Sequence, residues 1–262
     1  MIKIISIDLD GTLLGPDAKI SKKNMEAVKE CLDRGIKVVC NTGKTVKFVS
    51  AIITMLGLKD FQIASGGAVI MDCHFQPVFT FKIPEKLYRD IVYFQRKSNI
   101  GFVIHCLNGE TYYEIENEYF YNIVSSGEDI KKVPDLLDDN ISRQALMFTY
   151  AGIISNDVYN EFLDKFGEKL KIRRGGQCLA DIFSNEGGKV NAIKRILNLY
   201  GISSQSLLAI GDNDNDIGIL KFAGLGIAMG NSPDKVKNEA DGVVSDNGSD
   251  GVAEAIYKYV LI

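Results

Sequence analysis

The chain has 262 residues, 46% of them hydrophobic and 24% charged, with a formal net charge of −4. These proportions exclude wholesale disorder, and the mild acidity argues against a nucleic-acid surface, which carries a clustered basic excess. No apolar run reaches the roughly eighteen residues of a membrane span, and the opening residues lack a secretion-signal pattern, so no membrane partner is expected.

The run from Ile2 to Ile7 reads as a buried parallel strand, and Asp8-Leu9-Asp10-Gly11-Thr12 ends it. Ligands in open α/β sheets bind beyond the carboxyl ends of the strands. Two carboxylates therefore arrive where a site belongs, spaced so that a nucleophile and a metal ligand or general acid can share one loop. In isolation the same residues are an ordinary polar turn. Ser21 can cap a helix through about Arg34, with Met25, Val28 and Leu32 at helical spacing and Gly35 as its stop. A strand follows over Ile36 to Cys40, then a helix near Thr45 to Leu56 and a strand near Phe61 to Ala64. After residue 184 the rhythm resumes with a helix from Lys189 to Tyr200 and strands at Leu207 to Ile210 and Gly224 to Ala228. Strands alternating with amphipathic helices predict an α/β fold, a doubly wound parallel-sheet (Rossmann-like) core.

The middle reads differently. From Ile83 to Ser184 the pattern is helix, paired strands, helix, paired strands, with Asn108-Gly109 a hairpin signal between Gly101–Leu107 and Glu110–Ile115. We expect residues 1–82 and 185–262 to form one catalytic core and 83–184 an inserted α+β cap, because each outer segment supplies only part of a sheet. Cys31, Cys40, Cys73, Cys106 and Cys178 are scattered and lack C-x-x-C spacing. Neither a disulfide framework nor a zinc site is suggested, and a reducing cytoplasm fits best.

Three further constellations carry chemistry. Thr42-Gly43-Lys44 follows an apolar strand and precedes a helix, which presents a hydroxyl and backbone N–H groups to an anion; a helix start favours Thr for capping alone. Glu186-Gly187-Gly188-Lys189 puts a lysine at a helix start, where the dipole gives it no advantage. Asp212-Asn213-Asp214-Asn215-Asp216 follows the strand Leu207 to Ile210, and an oxygen-rich cluster without His or Cys suits a hard cation such as Mg²⁺. A calcium-binding EF-hand loop shares the alternating aspartates but requires helices on both sides, and Ala223 stands where its closing Glu belongs.

Taken in order, D8-x-D10-G-T12, T42-G, the insertion, K189 and G211-D212-x-x-N215-D216 resemble the haloacid dehalogenase superfamily of phosphohydrolases. The D-x-D-G-T-L-L opening, Ala228-Met229-Gly230-Asn231-Ser232 and Asp250-Gly251-Val252-Ala253 are similar to the Cof-like branch with a type 2 cap, relatives of sugar phosphatases. The resemblance implies Asp8 as nucleophile and Asp10 as general acid and base. It implies Mg²⁺ held by Asp8, the Asp10 carbonyl and Asp212, with Asp216 holding the metal's shell or Lys189. Thr42 and Lys189 would bind phosphoryl oxygens, with Thr12, Gly43, Lys44, Asn215 and Asn231 supporting the loop or touching phosphate. The family usually has Arg at position 44 and often Asn at position 65, where they contact substrate or cap; Lys44 keeps the charge without the planar fork, and the alternative reading of Lys44 and Ser65, the favoured one, is drift at surface-facing positions.

The leaving group must be read by the cap. His105, Arg143, Arg173, Arg174 and Gln177 are candidate readers because they are polar on or beside cap strands, although each reads first as solvated surface and His105 as a hydrogen-bonded, partly buried imidazole. The expected function is a Mg²⁺-dependent phosphomonoesterase acting on a small phosphorylated metabolite, with a sugar phosphate the expected class, in a monomer or small homo-oligomer. Two alternatives remain at this stage: a phosphotransferase or mutase using the same aspartyl phosphate, and a non-catalytic phosphometabolite-binding regulator.

Overall fold

A computed structural model describes residues 1–117, 120, 129–151, 154–175 and 179–261, with backbone alone for 151, 173–175 and 179. The first strands are β1 (Ile4–Ile7), β2 (Lys37–Cys40), β3 (Gln62–Ala64), β4 (Val69–Met71) and β5 (Pro77–Thr80). The middle supplies β6 (Phe102–Cys106), β7 (Thr111–Tyr113), β8 (Ile130–Lys132), β9 (Ala145–Ala151), β10 (Leu170–Gly175) and β11 (Leu179–Ser184). The last are β12 (Leu207–Gly211), β13 (Leu225–Ala228) and β14 (Gly242–Val243).

Five strands from the two ends of the chain form one parallel sheet in the order β14-β13-β12-β1-β2. Successive residues point to opposite faces, and both faces are apolar. Ile5, Ile7, Val38, Leu208 and Ile210 pack with Val28 of the helix Lys22–Asp33 and Val252 and Ile256 of the helix Gly251–Tyr259. Ile4, Val39, Leu207 and Ala209 pack on the other side with Ile193 and Ile196 of the helix Lys189–Tyr200. Covering both faces is what a parallel sheet requires. Ser21 caps the first helix through the Asn24 N–H, as its sequence position predicts.

One expectation fails. The strand near Ala64 does not extend the parallel sheet; β3 pairs antiparallel with β4, and β4 with β5. The physical reason is Gln62, whose fully buried side chain accepts from the Cys40 N–H at 2.7 Å and donates to the Val38 carbonyl at 3.0 Å. An amide side chain thus occupies β2's outer hydrogen-bonding groups, leaving one backbone bridge between Asn41 and Ile63.

The inserted cap has a six-stranded sheet ordered β10-β11-β9-β6-β7-β8. Phe102, Ile104, Phe148 and Ile182 pack against the helices Glu85–Ser98 and Asn156–Phe166. The opposite face meets the core: Met147 and Phe183 belong to the core's own apolar cluster. The Asn108-Gly109 turn joins β6 and β7, with Gly109 at φ +81°. Among the described residues, no helix is long and apolar enough to cross a membrane.

Candidate active site

The carboxyl ends of β1, β2 and β12 converge on a cluster of four ionisable side chains. β1 ends at Ile7, and the loop after it turns back at once: the Leu13 N–H donates to the Asp8 carbonyl, and the Thr12 and Leu14 N–H groups both donate to the Leu9 carbonyl. This tight turn depends on Gly11, which has φ +74° and where a Cβ would stand 2.4 Å from Asp212 Oδ2. Asp8 is thereby held inside, 7% exposed, while Asp10 projects outward with its side chain 58% exposed. One loop therefore offers a shielded carboxylate and an accessible one.

Lys189 reaches the cluster from the start of its helix and is 1% exposed. Its Nζ lies 2.7 Å from Asp8 Oδ1, 2.7 Å from Asp216 Oδ1 and 3.4 Å from Asn215 Oδ1. Asp216 Oδ2 accepts the backbone N–H groups of Asp212 and Asn213, so both oxygens of Asp216 have partners. Thr12 Oγ1 donates to Asp212 Oδ1 at 2.7 Å. Carboxylate oxygens of Asp8, Asp212 and Asp216 all lie within 4.8 Å of one another.

Three carboxylates share this space with one ammonium, and burial dominates the consequences. It pushes the Asp8 carboxyl up to about 8, with Lys189 pulling down and Asp216 and Asp212 adding to the rise. Burial likewise raises Asp212 to about 6 against the Thr12 hydrogen bond. Burial works against the Lys189 charge as well, but Asp216 and Asp8 outweigh it and hold its pKa above the ordinary lysine value. The cluster has more negative than positive charge and offers only oxygen donors beside that lysine, which is the chemistry of a hard divalent-cation site.

The other sequence candidates fall into two groups. Thr42 is 1% exposed at the end of β2, where its Oγ1 accepts the Lys44 N–H at 3.2 Å. Its carbonyl accepts from Gly66, and the Lys44 carbonyl accepts from Ser65. Gly43 has open space where a side chain would stand. Lys44 and Ser65 are not surface-facing as read from the sequence: they are 4% and 1% exposed. The turn at Ser65 buries both, and Lys44 Nζ lies 3.4 Å from Asp10 Oδ1. Asn231 is exposed and ties loops together, donating to the Gly11 carbonyl at 2.8 Å and accepting from Asn247 N–H at 3.0 Å.

The second group lies in the inserted cap segment 83–184. His105 is 3% exposed, and its Nε2 lies 3.0 Å from Thr149 Oγ1. Arg143 is exposed and pairs with Asp139. Arg173 and Arg174 lie on β10, in register with Asp181 and Ala180, and Gln177 lies outside the described residues. Sequence reasoning missed Asn41, whose Nδ2 donates to the Lys189 carbonyl at 3.2 Å. It also missed Thr149 and Asp181, joined at 3.0 Å. Their signal was a polar residue between apolar neighbours in each strand.

A family model for haloacid dehalogenase-like hydrolases matches residues 5–256. The chain belongs to that family. It is 31% identical to a 5-amino-6-(5-phospho-D-ribitylamino)uracil phosphatase of Bacillus subtilis, over 99% of this chain and 96% of that one. It is 25% identical to a phosphoglycolate phosphatase of Methanobrevibacter smithii, over 99% of both. A phosphatase of the haloalkanoate enzyme superfamily from Bacteroides thetaiotaomicron shares the fold at a TM-score of 0.89 and 24% identity, covering 100% of this chain and 96% of that one. This haloacid dehalogenase-like protein is a phosphatase with an α/β core and an inserted cap, as its ordered motifs predict.

Proposed function

We propose that the protein is a Mg²⁺-dependent phosphomonoesterase that releases phosphate from a small metabolite, of the sugar-phosphate class, through a phosphorylated Asp8. The observation that carries this reading is the buried Asp8–Lys189–Asp216 cluster beside Asp212, with the accessible Asp10 two residues from Asp8. The named relatives remove phosphate from quite different leaving groups, a ribitylamino-uracil and glycolate, which supports a shared phosphate site with the substrate chosen elsewhere.

In this reading one Asp8 oxygen attacks phosphorus and the P–O bond to the leaving group breaks, giving an acyl phosphate. Asp10 donates a proton to the departing oxygen, then takes one from the water that hydrolyses the acyl phosphate. Lys44 steadies the Asp10 carboxylate from the buried side. Thr42 and Lys189 hold the phosphoryl oxygens, whose charge rearranges in the transition state. Asp8, the Asp10 carbonyl and Asp212 would hold Mg²⁺, with Asp216 fixing the loop and Lys189. When bound, the ion offsets the repulsion between the attacking carboxylate and the phosphate.

The test is a phosphate-release screen over phosphorylated metabolites, with acceptor sugars added in parallel. Release is expected with Mg²⁺, loss of activity with EDTA, and inhibition by Ca²⁺, which takes more oxygens at longer distances and can occupy both Asp8 oxygens. Full activity in chelator refutes the metal assignment, and transfer product with little free phosphate refutes hydrolysis.

A further inference from the structure

The core-facing side of the cap sheet carries a buried chain of polar groups. In an antiparallel sheet, residues in register share a face, and so do residues two apart on one strand. His105 is in register with Met147, Met147 with Phe183, and Thr149 with Asp181. These five residues therefore look toward the core. Met147 shows how close they come: its Sδ lies 3.4 Å from where a Cβ on Gly66 would stand. Gly66 belongs to the turn that hydrogen-bonds Thr42 and Lys44.

His105 and Thr149 are 3% and 7% exposed, and Asp181 is half-buried. Thr149 Oγ1 donates to Asp181 Oδ1 at 3.0 Å, which uses its one proton. The 3.0 Å contact between His105 Nε2 and Thr149 Oγ1 must then run from imidazole N–H to hydroxyl oxygen. The chain has a direction, His105 to Thr149 to Asp181, and it ends on a carboxylate that reaches solvent. His105 and Thr149 are buried where Val or Leu would serve as cover, and their hydrogen bonds offset the cost of burying polar groups. Every hydrogen in the relay points toward Asp181, which leaves that carboxylate fixed in position as an acceptor.

We infer that Asp181, held by Thr149 and His105, is a specificity-determining residue that accepts hydrogen bonds from hydroxyl groups of the leaving group, so that polyhydroxylated phosphomonoesters are preferred over carboxylate-bearing ones. The inference rests on the phosphatase reading above for the position of the phosphate. Asp181 and Thr149 do not touch the reacting atoms; Asp181 reads the leaving group, and Thr149 and His105 position it.

The experiment compares wild type with Asp181→Asn, Thr149→Val and Thr149→Ser. It measures kcat/KM for a hexose phosphate, a pentitol phosphate, phosphoglycolate and p-nitrophenyl phosphate. Asp181→Asn and Thr149→Val should lower the two polyol esters by roughly ten- to hundred-fold, the scale of one hydrogen bond to a charged acceptor. Hydrolysis of the aryl phosphate should change by less than about twofold, and the polyol-to-glycolate ratio should fall. Thr149→Ser keeps the hydroxyl and should retain the wild-type ratios. Equal losses on all four esters, or unchanged ratios in Asp181→Asn, overturn the assignment and leave the chain a structural tie.

Calorimetric binding in an Asp8→Asn background with Mg²⁺ separates this inference from the catalytic reading. If wild type hydrolyses nothing, aryl phosphate included, the hydrolase reading fails. Preference for the pentitol phosphate over phosphoglycolate, lost on adding Asp181→Asn, still supports the reader. Equal binding with and without Asp181→Asn overturns it.

Discussion

Asp8 is charged at a cost, since burial with Asp212 and Asp216 opposes ionisation and Lys189 offsets only part of it. Asparagine keeps the shape and removes both the charge and the proposed nucleophile. Asp8→Asn is therefore expected to melt, in chelator, at or above the wild-type temperature while losing phosphate release by roughly 10³-fold or more; near-normal turnover would sink the covalent route. The same raised pKa values set a pH dependence. Asp8 and Asp212 hold protons up to about pH 8 and about pH 6, whereas carboxyls of an unfolded chain release them near about pH 4. Within that window the metal-free folded state binds more protons than the unfolded chain, so these two groups contribute stability that is lost as pH rises through their folded values. A divalent cation binds the ionised carboxylates and must displace those protons at low pH. Excess Mg²⁺ should accordingly raise the melting temperature more at about pH 8.5 than at about pH 6, and equal gains would contradict the assignment of these carboxylates as ligands.

At the level of elements, the turn Ser65–Gly67 and the start of the helix Lys189–Tyr200 are pressed backbone to backbone. Gly67 has φ +91°, and a Cβ there would stand 2.2 Å from the Gly188 carbonyl carbon, one residue before Lys189. Gly67→Ala should cost about 2–4 kcal/mol from backbone strain and overpacking together, and it should lower activity because Lys189 moves with its helix. Gly57→Ala is the control: φ is +65° but nothing lies within 4 Å, so about 1–2 kcal/mol and unchanged kinetics are expected, measured by denaturant melts and kcat. This arrangement also shows what a sequence can disclose. The strand-end carboxylates were legible because Thr42-Gly43, Lys189 and Asp212–Asp216 follow them in order at strand ends and helix starts, and Ser21 and Gly35 mark their helix ends by local hydrogen bonding. The β3–β5 hairpin was not, because whether β2 accepts another strand turns on where the Gln62 amide goes. Thr149 and Asp181 were hidden for a similar reason. A polar residue in an alternating strand reads as facing water until the surface opposite is known, and here that surface is the core.

Across the whole molecule, the cap sheet meets the core at backbone adjoining Thr42 and Lys189. Met147 rests on Gly66, and Lys171 Nζ donates to the Gly187 carbonyl at 2.7 Å. Both contacts are made by side chains of the cap sheet to backbone that positions Thr42 and Lys189. In the proposed reading the core cluster meets only the phosphoryl group common to every ester, which assigns differences among substrates to the cap side. Thr42→Ala and Lys189→Ala should therefore depress all substrates together, by about 10²–10³-fold if each holds a phosphoryl oxygen in the transition state, with melting temperatures recorded alongside. Alanine at Arg173, Arg174 or Gln177 should instead change the rates among sugar phosphates relative to one another while leaving a small aryl phosphate, which needs little cap recognition, nearly unaffected. Unchanged ratios in all three cap variants would remove those residues as readers. A core variant that alone switched substrate preference would break the division of labour itself, because a group that meets only the phosphoryl oxygens has no means of distinguishing what is attached to them.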